Sequence, residues 1–137
     1  MKNLMTAIMA KTVGSALSSR VGGRIFRGTA PPKTEYPYLV FFAVGGSPEP
    51  TFSEDIRKRQ IQFSFYSESQ DITEIAGMEA DTETLFHEQD LTVTGAKQAW
   101  AKKISEPVDM TEAITTEPGA ATVNHWVVDY EFSTSLT

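Results

Sequence analysis

The sequence predicts an α+β fold: two α-helices packed on a mainly antiparallel β-sheet, in one domain over residues 1–137. Three observations predict it. The segments run helix, strands, helix, strands. Residues 57–67 and 121–132 alternate apolar and polar with the period of two that a half-buried strand needs. Residues 38–44 are apolar at every position, which suits a strand covered on both faces. With 40% hydrophobic residues, eight Phe, four Tyr and two Trp, the 137-residue chain can bury a core.

The elements follow in order. Met5, Met9, Val13 and Ala16/Leu17 recur at steps of three and four, which predicts a helix over 3–18. Gly22-Gly23 ends it, and Arg24–Arg27 is a short strand. Residues 28–35, with Pro31-Pro32, form a loop. In the strand 38–44, Tyr38, Val40, Phe42 and Val44 share one face and Leu39, Phe41 and Ala43 the other. Gly and Pro then predict a long loop over 45–55 that exposes Phe52. In 57–67, Ile61, Phe63 and Phe65 point one way and Gln60, Gln62, Ser64 and Tyr66 the other, pairing antiparallel with 38–44. Ser67-Glu68-Ser69 offers a cap for a helix over 70–88, striped by Ile72, Ile75, Met78, Thr82, Leu85 and Phe86. Gly77 weakens that helix by about 1 kcal/mol relative to Ala. A hairpin of 90–94 and 97–104 turns at Thr94-Gly95, with Trp100 and Ile104 inward. A second long loop, 106–119, is acidic. In the last strand, 121–132, Trp126, Val128, Tyr130 and Phe132 share one face.

Composition narrows function. Without cysteine there is no disulfide scaffold and no thiolate metal site. No apolar run reaches the roughly 18–20 residues of a membrane span. Residues 1–34 lack acids and resemble a transit peptide in composition, but their periodicity is read as part of the fold. Neither Val44-Gly45-Gly46-Ser47 nor Gly22-Gly23 has the spacing of a phosphate cradle, so both are turns. His87 and His125 are the two histidines and form no ligand-spaced pair, so no metal is expected. There is no Gly-x-Ser-x-Gly elbow, and the carboxylate pairs Glu54/Asp55 and Asp81/Glu83 fall in solvated stretches. Nothing points to an enzyme.

Charge is unevenly placed. Residues 1–50 carry six bases and two acids, a net of +4; residues 51–137 carry six bases and sixteen acids, a net of −10. From Glu68 to Asp90 there are eight acids and no base. Two ordinary solvated faces would give this pattern, and so would head-to-tail association of like subunits. The bases Arg20, Arg24 and Arg27, without interleaved aromatics, are a weak nucleic-acid signal.

Several blocks together resemble a known family. A short amphipathic N-terminal helix leads to Val21-Gly22-Gly23-Arg24-Ile25-Phe26, then Ala30-Pro31-Pro32, then Tyr36-Pro37-Tyr38-Leu39-Val40-Phe41. A long connection leads to Ile61-Gln62-Phe63-Ser64-Phe65-Tyr66-Ser67 and at once to a helix. This resembles the tail-completion, or tail-terminator, proteins of long-tailed bacteriophages, well over residues 4–90 and in outline beyond. The resemblance implies a structural virion subunit without enzymatic activity or cofactor. It would form a ring, typically a hexamer, on the head-proximal end of the tail tube. The ring would end tube polymerisation, meet the head connector and pass genomic DNA through its lumen without specific binding, in the virion neck and, during assembly, in the host cytoplasm. A head-completion or stopper protein of the same neck is an alternative, and a small ligand-binding α+β domain or enzyme another. Candidate contacts with tube, connector or neighbour are Phe52, Glu54, Asp55, Met110, Arg24 and Arg27. Glu74, Asp81 and Glu83 are candidates for a lumen-facing or inter-subunit acidic surface.

Overall fold

The computed structural model describes residues 1–50, 55–69, 71–110, 112–113 and 122–135. The N-terminal segment forms two helices, α1 (Lys2–Thr12) and α2 (Ala16–Arg20). The predicted single helix over 3–18 breaks because Gly14 takes φ +74°, a left-handed conformation that ends a helix. Ser15 restarts it, its hydroxyl accepting from the Ser18 N–H at 3.2 Å.

The sheet is built on a central antiparallel trio. Strand β2 (Tyr38–Pro50) pairs with β3 (Asp55–Ser67), and β3 with β8 (Thr122–Ser135). Strand β1 (Ile25–Arg27) lies parallel on β2, with Ile25 opposite Leu39 and Arg27 opposite Phe41. On the free flank of β8 lie β5 (Gln98–Lys103), β6 (Val108–Asp109) and β7 (Glu112–Ala113), and β4 (Gln89–Asp90) pairs with β5. The α+β class and the mainly antiparallel sheet are as the sequence predicts, with a third helix added.

Four details differ from expectation. The predicted loop 45–55 is strand as far as Pro50 and again from Asp55. Strand β1 reaches no further than Phe41, so beyond it β2 is a sheet edge, where proline's missing N–H is tolerated. A register shift between Ala43 and Gly45 accompanies this extension, and a Cβ on Gly46 would collide with the Lys58 carbonyl oxygen. The predicted loop 106–119 contributes β6 and β7; residues 111 and 114–119 lie outside the described set. Trp100 and Ile104 do not face inward: each is 42% exposed. Alanines 99 and 101 take the inner positions instead, where α3 lies against β5. Helix α3 (Thr73–Phe86) starts later than predicted. The Ser67-Glu68-Ser69 segment does not cap it: Ile72 is the N-cap and makes no side-chain bond. Ser67 Oγ donates instead to Glu74, and the Thr73 N–H donates to Asp71 Oδ1 at 2.9 Å.

All three helices pack on one face of the sheet. Leu39, Phe41, Ile61, Phe63, Phe65, Val128, Tyr130 and Phe132 form that face and are buried against Leu4, Ile8, Leu17, Ile75, Met78 and Phe86. Phe63 is the centre, with rings of Phe86 and Tyr130 each 5.3 Å from its own. The opposite face is only partly covered: Val40 is buried, Phe42 is half-buried and Val44 is exposed.

Candidate functional site

The strand registers gather residues from distant parts of the sequence at the two ends of the sheet. At one end Tyr38 stands opposite Tyr66, and Tyr66 opposite His125. Asn124 Nδ2 donates to the Ser69 carbonyl at 2.6 Å, and the Met110 N–H to the His125 carbonyl at 2.6 Å. Glu68, Asp71, Glu74 and Asp109 therefore share this end, and exposed apolar side chains stand among them: Ile72, Val108 and Met110. Asp71 is held below the usual carboxylate range by the Thr73 hydroxyl and N–H that it accepts.

The other end is basic. Ile56 is opposite Ser135, and Ser135 opposite Gln98, so Arg57, Lys58 and Arg59 lie here with Lys97. Asn3 Nδ2 donates to the Thr94 carbonyl at 2.9 Å, which brings the start of α1, with Lys2, to the same end. No acidic side chain stands in the first turn of α1, so its positive dipole end adds to the field.

The predicted residues are distributed as follows. Arg24 is committed within the fold: its Nε donates to the Pro37 carbonyl at 3.0 Å and Nη2 to Tyr36 at 3.4 Å. Arg27 is exposed on β1. Met110 is 48% exposed at the acidic end. Phe52 and Glu54 lie outside the described residues, and Asp55 opens β3 at the basic end. Glu74, Asp81 and Glu83 are half-buried on α3, each with an internal neighbour: the Ser67 hydroxyl, Arg20 Nε at 2.8 Å and Lys103 Nζ at 3.8 Å.

Two clusters escape sequence reasoning. Lys103 Nζ lies 2.6 Å from Glu79, 3.8 Å from Glu83 and 3.7 Å from Glu106, and its N–H donates to His87 Nδ1 at 3.0 Å. Burial works to lower the Lys103 pKa, but Glu79, Glu83 and Glu106 outweigh it and raise the value above normal. Burial first, then the same three carboxylates, push the Tyr130 hydroxyl up as well. An amine held protonated is neither base nor nucleophile, and its ion pairs with Glu79 and Glu83 tie β5 to α3. The Glu79/Glu83 spacing of four is its one trace in the sequence. The second cluster is a groove of about 860 Å³ between α1 and the β1–β2 side of the sheet, lined by Met1, Lys2, Met5, Met9, Arg27 and Phe41.

Among the described residues, no three His, Cys, Asp or Glu side chains are placed to hold a metal, and no helix is long and apolar enough to cross a membrane. The described surface offers charged ends and exposed apolar side chains more than convergent catalytic groups, the make-up of a small structural subunit. The chain belongs to the tail completion protein gp17 family, whose sequence model matches residues 3–134. That family is one of structural phage tail proteins, which weighs against enzymatic activity. A chain from a solved structure titled "Virion of native gene transfer agent (GTA) particle" is similar in fold, with TM-score 0.76 at 10% identity over 98% of this chain and 96% of that one. A second solved structure matches with TM-score 0.55 at 13% identity, over 96% of this chain and 94% of its own. No curated protein sequence matches.

Proposed function

We propose that this protein is a virion subunit that closes a ring, typically a hexamer, on the head-proximal end of a phage tail tube. The ring ends tube polymerisation, joins the tail to the head connector and passes DNA through its lumen. The observation that carries this reading is the tail-completion family match over residues 3–134. The likeness in fold to a chain of a gene transfer agent particle supports a place in the virion. The opposed basic and acidic ends support head-to-tail contact between copies, because a heterologous interface closes into a ring when the rotation closes.

Met110 and the 106–119 segment, with Phe52, Glu54 and Asp55 of the predicted 45–55 connection, are the proposed contacts with tube and connector. The acids of α3 would keep duplex DNA from adhering to the lumen, because phosphate binding is driven by cations. The test is the solution mass of the 15.1 kDa chain by light scattering, alone and with tail tubes. A species near six subunits, or rings seen by electron microscopy capping one end of each tube, is the expected result. A strict monomer that ignores tubes overturns the reading.

A further inference from the structure

We infer that the methionine groove beside α1 is the socket for a second copy of this chain, which inserts Ile72, flanked by Glu68 and Asp71, from its acidic end. The inference rests on the ring reading and adds the surfaces that meet.

Three observations carry it. The groove has an apolar floor of Met5, Met9 and Phe41 and a cationic rim of Lys2 and Arg27. Unbranched methionine side chains re-pack around an incoming apolar group, so such a floor adapts to a partner. The second observation is Ile72, the N-cap of α3 and 59% exposed. It stands between the acids of 68–74, with its neighbour Asp71 fixed as a carboxylate by two hydrogen bonds from Thr73. An apolar side chain ringed by acids complements an apolar floor ringed by bases in both shape class and charge. The third is position: Ile72 follows Ser69, which is bonded to Asn124 at the acidic end, while the groove follows α1 from the opposite end. One chain cannot bring the two together. A contact between different patches on successive copies is heterologous, as a ring requires.

The absence of cysteine makes the test direct. Met9→Cys and Ile72→Cys chains are prepared separately, mixed and mildly oxidised, with Ile104→Cys, just past the end of β5, as an exposed control partner. The expected result is a covalent dimer from Met9→Cys with Ile72→Cys, none from either alone and none from Met9→Cys with Ile104→Cys. A second pair needs no new bond. Arg27→Glu should weaken self-association by about 10-fold or more through like-charge contact with Asp71, and mixing it with Asp71→Arg should restore it. Oligomers that form but show neither the cross-link nor the charge rescue overturn this inference and leave the ring reading standing. A chain that stays monomeric at every concentration, with or without tail tubes, overturns both.

Discussion

The two faces of the central sheet are made of the same strands and do different work. The inner face is a continuous apolar surface under three helices. The outer face carries a row of rings: Phe26 lies 6.4 Å from Tyr38, Tyr38 stacks on Tyr66 at 4.7 Å, and Tyr66 on His125 at 4.2 Å. Burial raises the Tyr38 pKa, and the neighbouring Tyr36 and Tyr66 hydroxyls raise it further. Inside, stability comes from removing apolar area from water. Outside, it comes from ring pairs and alternating polar groups, which leaves a surface that water or another subunit can cover.

The largest test of this contrast is at the two ends of it. Phe63→Ala opens a cavity at the centre of the core and should cost about 3–5 kcal/mol in chemical unfolding. Tyr38→Leu keeps bulk on the outer face and removes the stacked pair, and should cost about 1 kcal/mol. Equal losses would mean that the outer row is as much a core as the inner one.

The next test concerns the titrating groups under α3. A lysine whose folded pKa is raised contributes stability that is fully present below the unfolded value, 10.5 for this side chain, and is lost as pH rises through the folded value. Tyr130, also raised, resists deprotonation while folded, so its unfolded form gains above its ordinary value of 10.0. Both groups therefore make stability fall on the alkaline side of about pH 10. Unfolding midpoints from pH 8 to 11.5 should fall less steeply in Lys103→Met than in the native protein. Tyr130→Phe should do the same and also be more stable at neutral pH, by about 1 kcal/mol. The Tyr130 hydroxyl is buried without a hydrogen-bond partner among the described residues, and an unsatisfied buried polar group is costly.

What was legible in the sequence divides along the same line. Strict alternation told which side of β3 and β8 is inner, because a one-residue slip would send Phe63 or Tyr130 into solvent. The outward Trp100 was illegible. Residue size suggests burial, but α3 lies so close to β5 that alanine fits the inner positions. The strand through Gly45–Pro50 was hidden because Gly and Pro read as breakers, and only the topology makes that stretch an edge. The two charged ends were visible as a +4/−10 division of the sequence, yet Arg57–Arg59 belong in space with Lys2. Register, not sequence position, decides that. The methionine groove could not be read because Met5 and Met9 fit the core stripe of α1 equally well.

The smallest effect tests a glycine. Propensity alone predicts that Gly77→Ala in α3 stabilises by about 1 kcal/mol. A Cβ at this position would lie 2.5 Å from the Arg20 guanidinium carbon, and Arg20 Nε is bonded to Asp81 at 2.8 Å. Gly77 thus leaves room for the side chain that ties α2 to α3. Arg20 is long and part-exposed, so it can swing aside, giving up an ion pair worth at most about 1 kcal/mol. Gain and loss then nearly cancel, and Gly77→Ala should change stability by less than about 0.5 kcal/mol. In an Arg20→Ala background the clash and the ion pair are both gone, and the same substitution should show the full helix gain of about 1 kcal/mol. A coupling energy near zero in this double-mutant cycle would mean that Arg20 does not occupy the space over Gly77 in solution.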